Sequence, residues 1–198
     1  MVTSDTVPDT ERADHGVRTL VLGGARSGKS AHAESLAGGV PDSVAVRYLA
    51  TARRHPDDSD WEERIDGHRR RRPIHWTVVE TAHRSGLVDE LGRTDWPVTL
   101  VDDLGTWLTD TIDSAHAWDR PRGTIAVDVD SLVDRVRTYP RDLVIVSPEV
   151  GLAVVPESRS GRLFRDEIGA LNARLANECD RVVLVVAGLP LVLKDSRP

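Results

Sequence analysis

Gly23-Gly24-Ala25-Arg26-Ser27-Gly28-Lys29-Ser30 is a complete G-x-x-x-x-G-K-[ST] phosphate loop, set between the apolar run Val17 to Leu22 and the helical pattern Ser30 to Ala37. Val17, Leu20, Val21 and Leu22 read as a short buried strand, and the pattern up to Ala37 reads as the first turns of a helix ended by Gly38-Gly39. Strand, glycine loop and helix therefore come in the order a nucleotide phosphate site requires. In such a loop the glycines let successive N–H groups turn inward around a phosphate, and the helix start adds its partial positive charge. Lys29 would neutralise β and γ oxygens, and the Ser30 hydroxyl would ligate Mg²⁺. The alternative is a glycine turn with a solvated lysine. Composition weighs against it: among 26 basic residues only Lys29 and Lys194 are lysines, so the chain uses arginine nearly everywhere except where this loop wants a slim ammonium.

At 198 residues and 39% hydrophobic content the chain can bury one substantial core. The expectation is a disordered tail over residues 1–16 and a single nucleotide-binding domain over 17–198. A formal net charge of −6 argues against a general nucleic-acid binder. The single cysteine, Cys179, excludes an internal disulfide and a cysteine-based zinc site, leaving helix packing as its expected role. Residues 1–16 hold Asp5, Asp9, Glu11 and Asp14 but no apolar stretch, so they read as neither signal peptide nor anchor. The apolar run from Val182 to Leu193, broken by Gly188 and Pro190, is too short to span a bilayer. A soluble, cytoplasmic protein is expected.

Along the chain, Val44 to Ala50 reads as a second strand running into a polar loop from Thr51 to Asp58. Ser59-Asp60-Trp61-Glu62-Glu63 carries overlapping capping boxes that announce a helix to about Arg71, stopped by Pro73. Trp61, Ile65, His68 and Arg72 share one face of that helix, and its last turn, Arg69 to Arg72, is cationic, a pattern that also suits a solvated face. Trp76 to Val79 suggests a short strand and Ala82 to Leu91 a weak helix. Val98 to Val101 is a continuous apolar run ending in Asp102-Asp103, the form of a buried parallel strand delivering a carboxylate at its carboxyl end. Asp102 is expected to be the Mg²⁺-directed acid, with a helix cap as the other reading, a stronger one for Asp103. Leu104 to Ile112 and Val127 to Tyr139 read as helices, the second on the surface, with a mobile loop between them. Leu143 to Val146 is a buried strand, Arg159 to Cys179 a long helix, and Val182 to Val186 the strand that closes the series. Alternation of apolar strands with helices predicts a mostly parallel α/β sheet covered on both faces, with ligands at the strands' carboxyl edge. Glu149, ending a strand there, is a further candidate site carboxylate.

These segments resemble the bifunctional adenosylcobinamide kinase / adenosylcobinamide-phosphate guanylyltransferase family of cobalamin biosynthesis. The matching pieces are the phosphate loop, Tyr48-Leu49-Ala50-Thr51-Ala52, Arg64-Ile65 with His68-Arg69 and Arg72-Pro73, Glu149-Val150-Gly151 with Val155-Pro156-Glu157, Phe164-Arg165-Asp166, and Val185-Val186-Ala187-Gly188-Leu189-Pro190. The likeness runs from about residue 18 to 194. It implies a RecA-like P-loop fold, a homotrimer, and two reactions. The first phosphorylates the adenosylcobinamide aminopropanol hydroxyl from ATP or GTP. The second transfers GMP from GTP onto that phosphate through a guanylylated histidine, for which His68 is the counterpart. The implied nucleotide-binding set is Gly23, Gly24, Ala25, Arg26, Ser27, Gly28, Lys29, Ser30, Thr51, Arg69, Glu80 and Asp102. Lys29, Asp102 and His68 are its catalytic members, and Ser30 and Asp102 are assigned to Mg²⁺. The chemistry of the residues agrees: a neutral imidazole is a competent nucleophile toward an α-phosphate, and the phosphoramidate formed is labile enough to pass the nucleotidyl group on. His32, His75 and His83 lack comparable surroundings. Two other readings stay open, a small-molecule kinase without guanylyl transfer and a non-enzymatic nucleotide-binding module. A GTPase switch would read guanine with Asn-Lys-x-Asp, and neither lysine can supply it.

Overall fold

Side chains along a strand point alternately to its two faces, and the apolar runs of this chain sort into two cores by that rule. Leu20 and Leu22, Leu49, Val101, Leu143, Ile145 and Val182 enter one core, while Val21, Val46, Tyr48, Val98, Leu100, Val144, Val146, Val183 and Val185 enter the other. A strand buried on both faces has no polar side to show, which is why these runs read as mostly apolar. The computed structural model describes residues 16–41, 43–53, 57–60, 63, 66, 67, 72–81, 83 and 86–197.

The strands are β1 Arg18–Gly23, β2 Val46–Ala50, β3 Thr77–Glu80, β4 Val98–Asp102, β5 Asp142–Pro148, β6 Arg181–Val186 and β7 Leu189–Asp195. They form a 7-stranded sheet in the order β3-β2-β4-β5-β1-β6-β7. Every neighbouring pair is parallel except β6 and β7. Helix α1, Lys29–Ala37, covers one face, where Ala33 and Ala37 join the second core. Helices α2 Gly86–Leu91, α3 Leu104–Ser114, α4 Ala126–Arg137 and α5 Arg159–Glu178 contribute to the first core on the other face. This is the α/β architecture, mostly parallel and covered on both faces, that the alternation predicts. Each fully buried Leu, Ile or Val in these cores contributes about 1.5–3 kcal/mol.

Most elements lie within a residue or two of the sequence reading, with three differences. The series does not close at Val186: Ala187 and Gly188, at φ 51° and 80°, turn the chain back into the antiparallel edge strand β7. A two-residue turn with both φ values positive is the type I′ hairpin connection, and the Gly at its second position was the available signal. Pro190 misled the reading, since proline is tolerated on an edge strand that has no neighbour on one side. Second, α4 is half-buried, with Val129, Leu132, Val133 and Val136 in the core, and Tyr139 lies beyond its end, buried against Arg47. Third, of the helix expected over Ala82 to Leu91, Gly86–Leu91 is found as α2 and His83 is a bend, while residues 82, 84 and 85 lie outside the described residues.

In the region expected as a helix from Ser59 to Arg71, Ser59, Asp60, Glu63, Asp66 and Gly67 are helical. Trp61, Ile65, His68 and Arg69 lie outside the described residues, as do residues 1–15 of the expected tail. Gly16 already belongs to the fold, donating from its N–H to Pro140 O at 3.0 Å. Cys179 is buried at the end of α5, where burial pushes its thiol up to about 12, so it stays protonated and packs. Among the described residues, no helix is long and apolar enough to cross a membrane.

Candidate active site

All the parallel strands end at one edge, which brings Gly23 of β1, Ala50 of β2, Glu80 of β3, Asp102 of β4 and Pro148 of β5 to the same side of the sheet. The phosphate loop leaves β1 there and enters α1. Gly28 is the residue before the helix, at φ 93°, a left-handed conformation that L side chains adopt at a cost. A Cβ at Gly28 would also meet Gly188 Cα at 3.3 Å. The loop is held from three sides: Ser27 N donates to Gly24 O at 3.3 Å, Gly188 N to Ser27 O at 2.8 Å, and Glu149 N to Gly23 O at 3.0 Å. The β6–β7 turn and the end of β5 thus brace the loop through its backbone. The N-cap Gly28 has no side chain to cap α1; Lys29 N donates weakly to Ser27 Oγ at 3.4 Å, and a helix start of this kind offers its N–H groups to an anion. Lys29 is buried, and its Nζ reaches Gly24 O at 3.4 Å, a long and weak contact for an ammonium.

Period two explains which of the paired aspartates enters the site. Val98 and Leu100 face the α1 side of the sheet, so Asp102 does too, toward the first turn of α1. Ser30 Oγ donates to Asp102 Oδ1 at 3.1 Å, and Tyr48 OH donates to Asp102 Oδ2 at 2.5 Å. Asp103 lies one step further on, where it is the N-cap of α3 and accepts from Thr106 N at 3.0 Å. Asp102 is thus the carboxylate that meets Ser30, and Asp103 is the cap of α3. The peptide joining them is cis.

Thr51 lies directly behind this pair. Its N–H donates to Asp102 O at 3.2 Å and its hydroxyl to Asp103 O at 2.7 Å, leaving it 2% exposed. It therefore stands as part of the wall behind Asp102, with its hydroxyl already engaged. Just beyond, Arg53 pairs with the buried Asp110 of α3 at 2.5 Å, tying the chain after β2 to the helix after β4. Glu80 is exposed at the end of β3. The Glu149 carboxylate accepts from Gly151 N at 2.6 Å, closing its own turn, while its backbone braces the loop. His68 and Arg69 are outside the described residues. Of the other histidines, His32 is on α1 with its imidazole pKa lowered, by burial first and by Arg181 second, and His75 and His83 are exposed.

Tyr48 is the site residue that sequence reasoning missed. It is 0% exposed, with the Arg72 guanidinium 3.4 Å from its ring centroid and the Trp76 ring 6.4 Å away. Its phenol pKa is raised, by burial first and then by the Asp102 charge. The signal was a tyrosine inside a buried strand, since a buried phenol needs a partner, and period two puts Tyr48 on the face that Asp102 shares. Away from the loop, a cleft of about 590 Å³ between α3 and the start of α5 is lined by Thr109, Trp118, Ser158, Ser160, Gly161 and Phe164. Ser30 and Asp102 offer two hard oxygen donors side by side, a set suited to Mg²⁺ bound with water and phosphate oxygens. Among the described residues there is no group of three or more His, Cys, Asp or Glu that could hold a metal.

Comparison with known proteins agrees with this geometry. The family model described as cobinamide kinase / cobinamide phosphate guanyltransferase matches residues 19–193. The bifunctional adenosylcobalamin biosynthesis protein CobP of Pseudomonas aeruginosa is 39% identical over 184 residues, which is 90% of this chain and 98% of that one. The bifunctional adenosylcobalamin biosynthesis protein CobU of Escherichia coli K12 is 38% identical over 186 residues, 88% of this chain and 98% of that one. Its namesake in Salmonella typhimurium is 36% identical over 185 residues. Matched nearly end to end by the family model and by these relatives, the chain belongs to the cobinamide kinase / cobinamide phosphate guanyltransferase family.

Proposed function

We propose that this chain performs two consecutive reactions on one acceptor at the carboxyl edge of its sheet. In the first, the aminopropanol hydroxyl of adenosylcobinamide attacks the γ-phosphorus of ATP or GTP. The bond to the β,γ-bridging oxygen breaks, leaving a nucleoside diphosphate and adenosylcobinamide phosphate. In the second, the His68 imidazole attacks the α-phosphorus of GTP and expels pyrophosphate. The acceptor phosphate then displaces histidine from the GMP group, giving adenosylcobinamide-GDP. The reading rests on family membership over residues 19–193. The observation that carries the kinase half is the Ser30–Asp102 contact at the mouth of the phosphate loop.

Each residue has a physical task in that scheme. The backbone N–H groups of the loop and the α1 start hold the β-phosphate, and Lys29 neutralises the β and γ oxygens. Ser30 and Asp102 would hold Mg²⁺, which when bound draws charge off the phosphate oxygens. A serine hydroxyl has one proton and two lone pairs, so Ser30 can donate to Asp102 and still offer oxygen to a cation. Thr51 and Asp103 keep Asp102 in place from behind. Arg69 would neutralise charge developing at the α-phosphate near His68. A homotrimer in the cytoplasm is the expected assembly and place.

The test is the separation of the two chemistries. Protein mixed with α-labelled GTP should take up acid-labile, alkali-stable label. His68→Ala should lose that label and guanylyl transfer while still phosphorylating adenosylcobinamide, because direct attack on the γ-phosphate needs no protein nucleophile. Continued labelling of the variant would refute His68 as the acceptor and turn attention to His32, His75 or His83.

A further inference from the structure

The conformation of Asp102 decides what the phosphate loop can do with a cation, and a carboxylate on a short side chain is not self-positioning. The torsion that turns its plane is broad and two-fold, so both oxygens need fixed partners if one of them is to face the metal consistently. Ser30 supplies one partner, at Oδ1. Its hydroxyl belongs to the first turn of α1 and is the group expected to engage the metal, so it is the partner most exposed to change during turnover. The other oxygen, Oδ2, is held from the sheet by Tyr48 OH at 2.5 Å.

Tyr48 is built as an anchor. Its backbone is locked in β2 between β3 and β4, in register with Val78 on one side and Leu100 on the other. Its ring is fully buried in the α1-side core, with the Arg72 guanidinium 3.4 Å from its centroid and Trp76 packed nearby. A ring clamped in this way cannot swing aside, so the phenol proton is delivered to a fixed point.

We propose that Tyr48 is a positioning residue for phosphoryl transfer, fixing Oδ2 of Asp102 so that Oδ1 faces Ser30 and the metal. This rests on the reading of Ser30 and Asp102 as the metal-holding pair. Its consequence is specific: the phenol oxygen matters for the cation and for turnover, and not for nucleotide held without metal.

Tyr48→Phe removes one oxygen and keeps the ring against Arg72 and Trp76. Isothermal titration of Mg²⁺ into protein saturated with a non-hydrolysable GTP analogue should show affinity weakened about 10-fold, the scale of one hydrogen bond to a charged group. Turnover of adenosylcobinamide phosphorylation should fall about as much, with KM for the acceptor unchanged. Analogue affinity without metal should stay within about 2-fold, because the phenol oxygen acts on the Asp102 carboxylate. The Tyr48→Phe/Asp102→Asn double variant should bind Mg²⁺ like Asp102→Asn alone, because the phenol acts through that carboxylate. Unchanged Mg²⁺ affinity and turnover in Tyr48→Phe, or effects that add fully in the double variant, would overturn the proposal. So would metal-free affinity falling together with Mg²⁺ affinity, the mark of general loosening. If Asp102→Asn itself leaves Mg²⁺ affinity intact, the metal-holding pair is wrong and the role of Tyr48 falls with it. Failure of Tyr48→Phe alone leaves the pair standing.

Discussion

The two edges of the sheet treat buried charge in opposite ways. At the amino-terminal edge, Arg18 of β1 is matched to Asp180 by both its backbone N–H and its guanidinium, at 2.9 and 3.2 Å, and also donates to Arg137 O. Arg47 of β2, 1% exposed, donates to Glu90, Arg93 O, Thr99 and Tyr139. At the carboxyl edge, buried Lys29 reaches, among the described residues, only Gly24 O, in a long contact of 3.4 Å, and the N-cap of α1 is Gly28, which has no capping side chain. A guanidinium taken out of water must have its donors filled by the protein, and for Arg18 and Arg47 the first edge does so. At the second edge the described residues answer the Lys29 ammonium only weakly, the arrangement an anion site requires. Burial alone therefore does not mark a functional cation; the difference is in how completely the protein answers it.

Three variants would sharpen or break this contrast. The largest effect should come from Lys29→Ala, which should reduce both phosphorylation and GMP transfer by at least about 1,000-fold, because both need the β and γ oxygens neutralised. Its melting temperature should stay within about 2 °C, as the protein makes little use of that ammonium itself. Normal GMP transfer by this variant would place the second reaction at another site. A drop in melting temperature like that of a broken ion pair would erase the distinction between the edges.

Asp180→Ala should do the reverse. It leaves the Arg18 guanidinium buried without its carboxylate, which costs about 3–5 kcal/mol and lowers the melting temperature by about 10 °C. Turnover at low temperature should be unchanged in the folded protein, which a melt and a kinase assay on the same sample would establish. The smallest effect belongs to the β6–β7 turn. Ala187 holds φ 51°, a conformation that glycine takes without the Cβ penalty, so Ala187→Gly should stabilise by about 1 kcal/mol. Its sign can be checked by denaturant melts, and a loss of stability would mean that the Ala187 methyl contributes packing worth more than the strain.

The hairpin shows why the strand series was harder to finish than to begin. Val17 to Leu22 and Val98 to Val101 announced themselves as central strands because both faces are covered and most of their residues are apolar, with Arg18, Thr19 and Thr99 the polar exceptions. β7 is an edge strand, with Leu189, Leu191, Val192 and Leu193 exposed and Pro190 inside it, so neither burial pattern nor composition marked it. Only its pairing with β6 defines it, and that pairing sets Gly188 against Ser27 of the phosphate loop. A stretch that read as the last word of the chain turns out to brace the loop near its start.

By itself the sequence determined the phosphate loop, the parallel α/β class and the two carboxylates between β4 and α3, because each is a local pattern: glycines at fixed offsets, apolar runs of strand length, a capped helix start. It also carried the family, through motifs spread from the loop to Val185-Pro190. Only the tertiary structure set the Asp102 carboxylate beside Ser30 and Asp103 at the start of α3, by placing α1 on the face to which Val98 and Leu100 already point. It alone turned Tyr48 from a strand residue into a partner of Asp102, and Thr51 from a loop threonine into the wall behind it. The reason is the same in each case. A hydrogen bond between residues 54 or 72 positions apart depends on which strands are neighbours and which face a helix covers, and no local pattern carries that information.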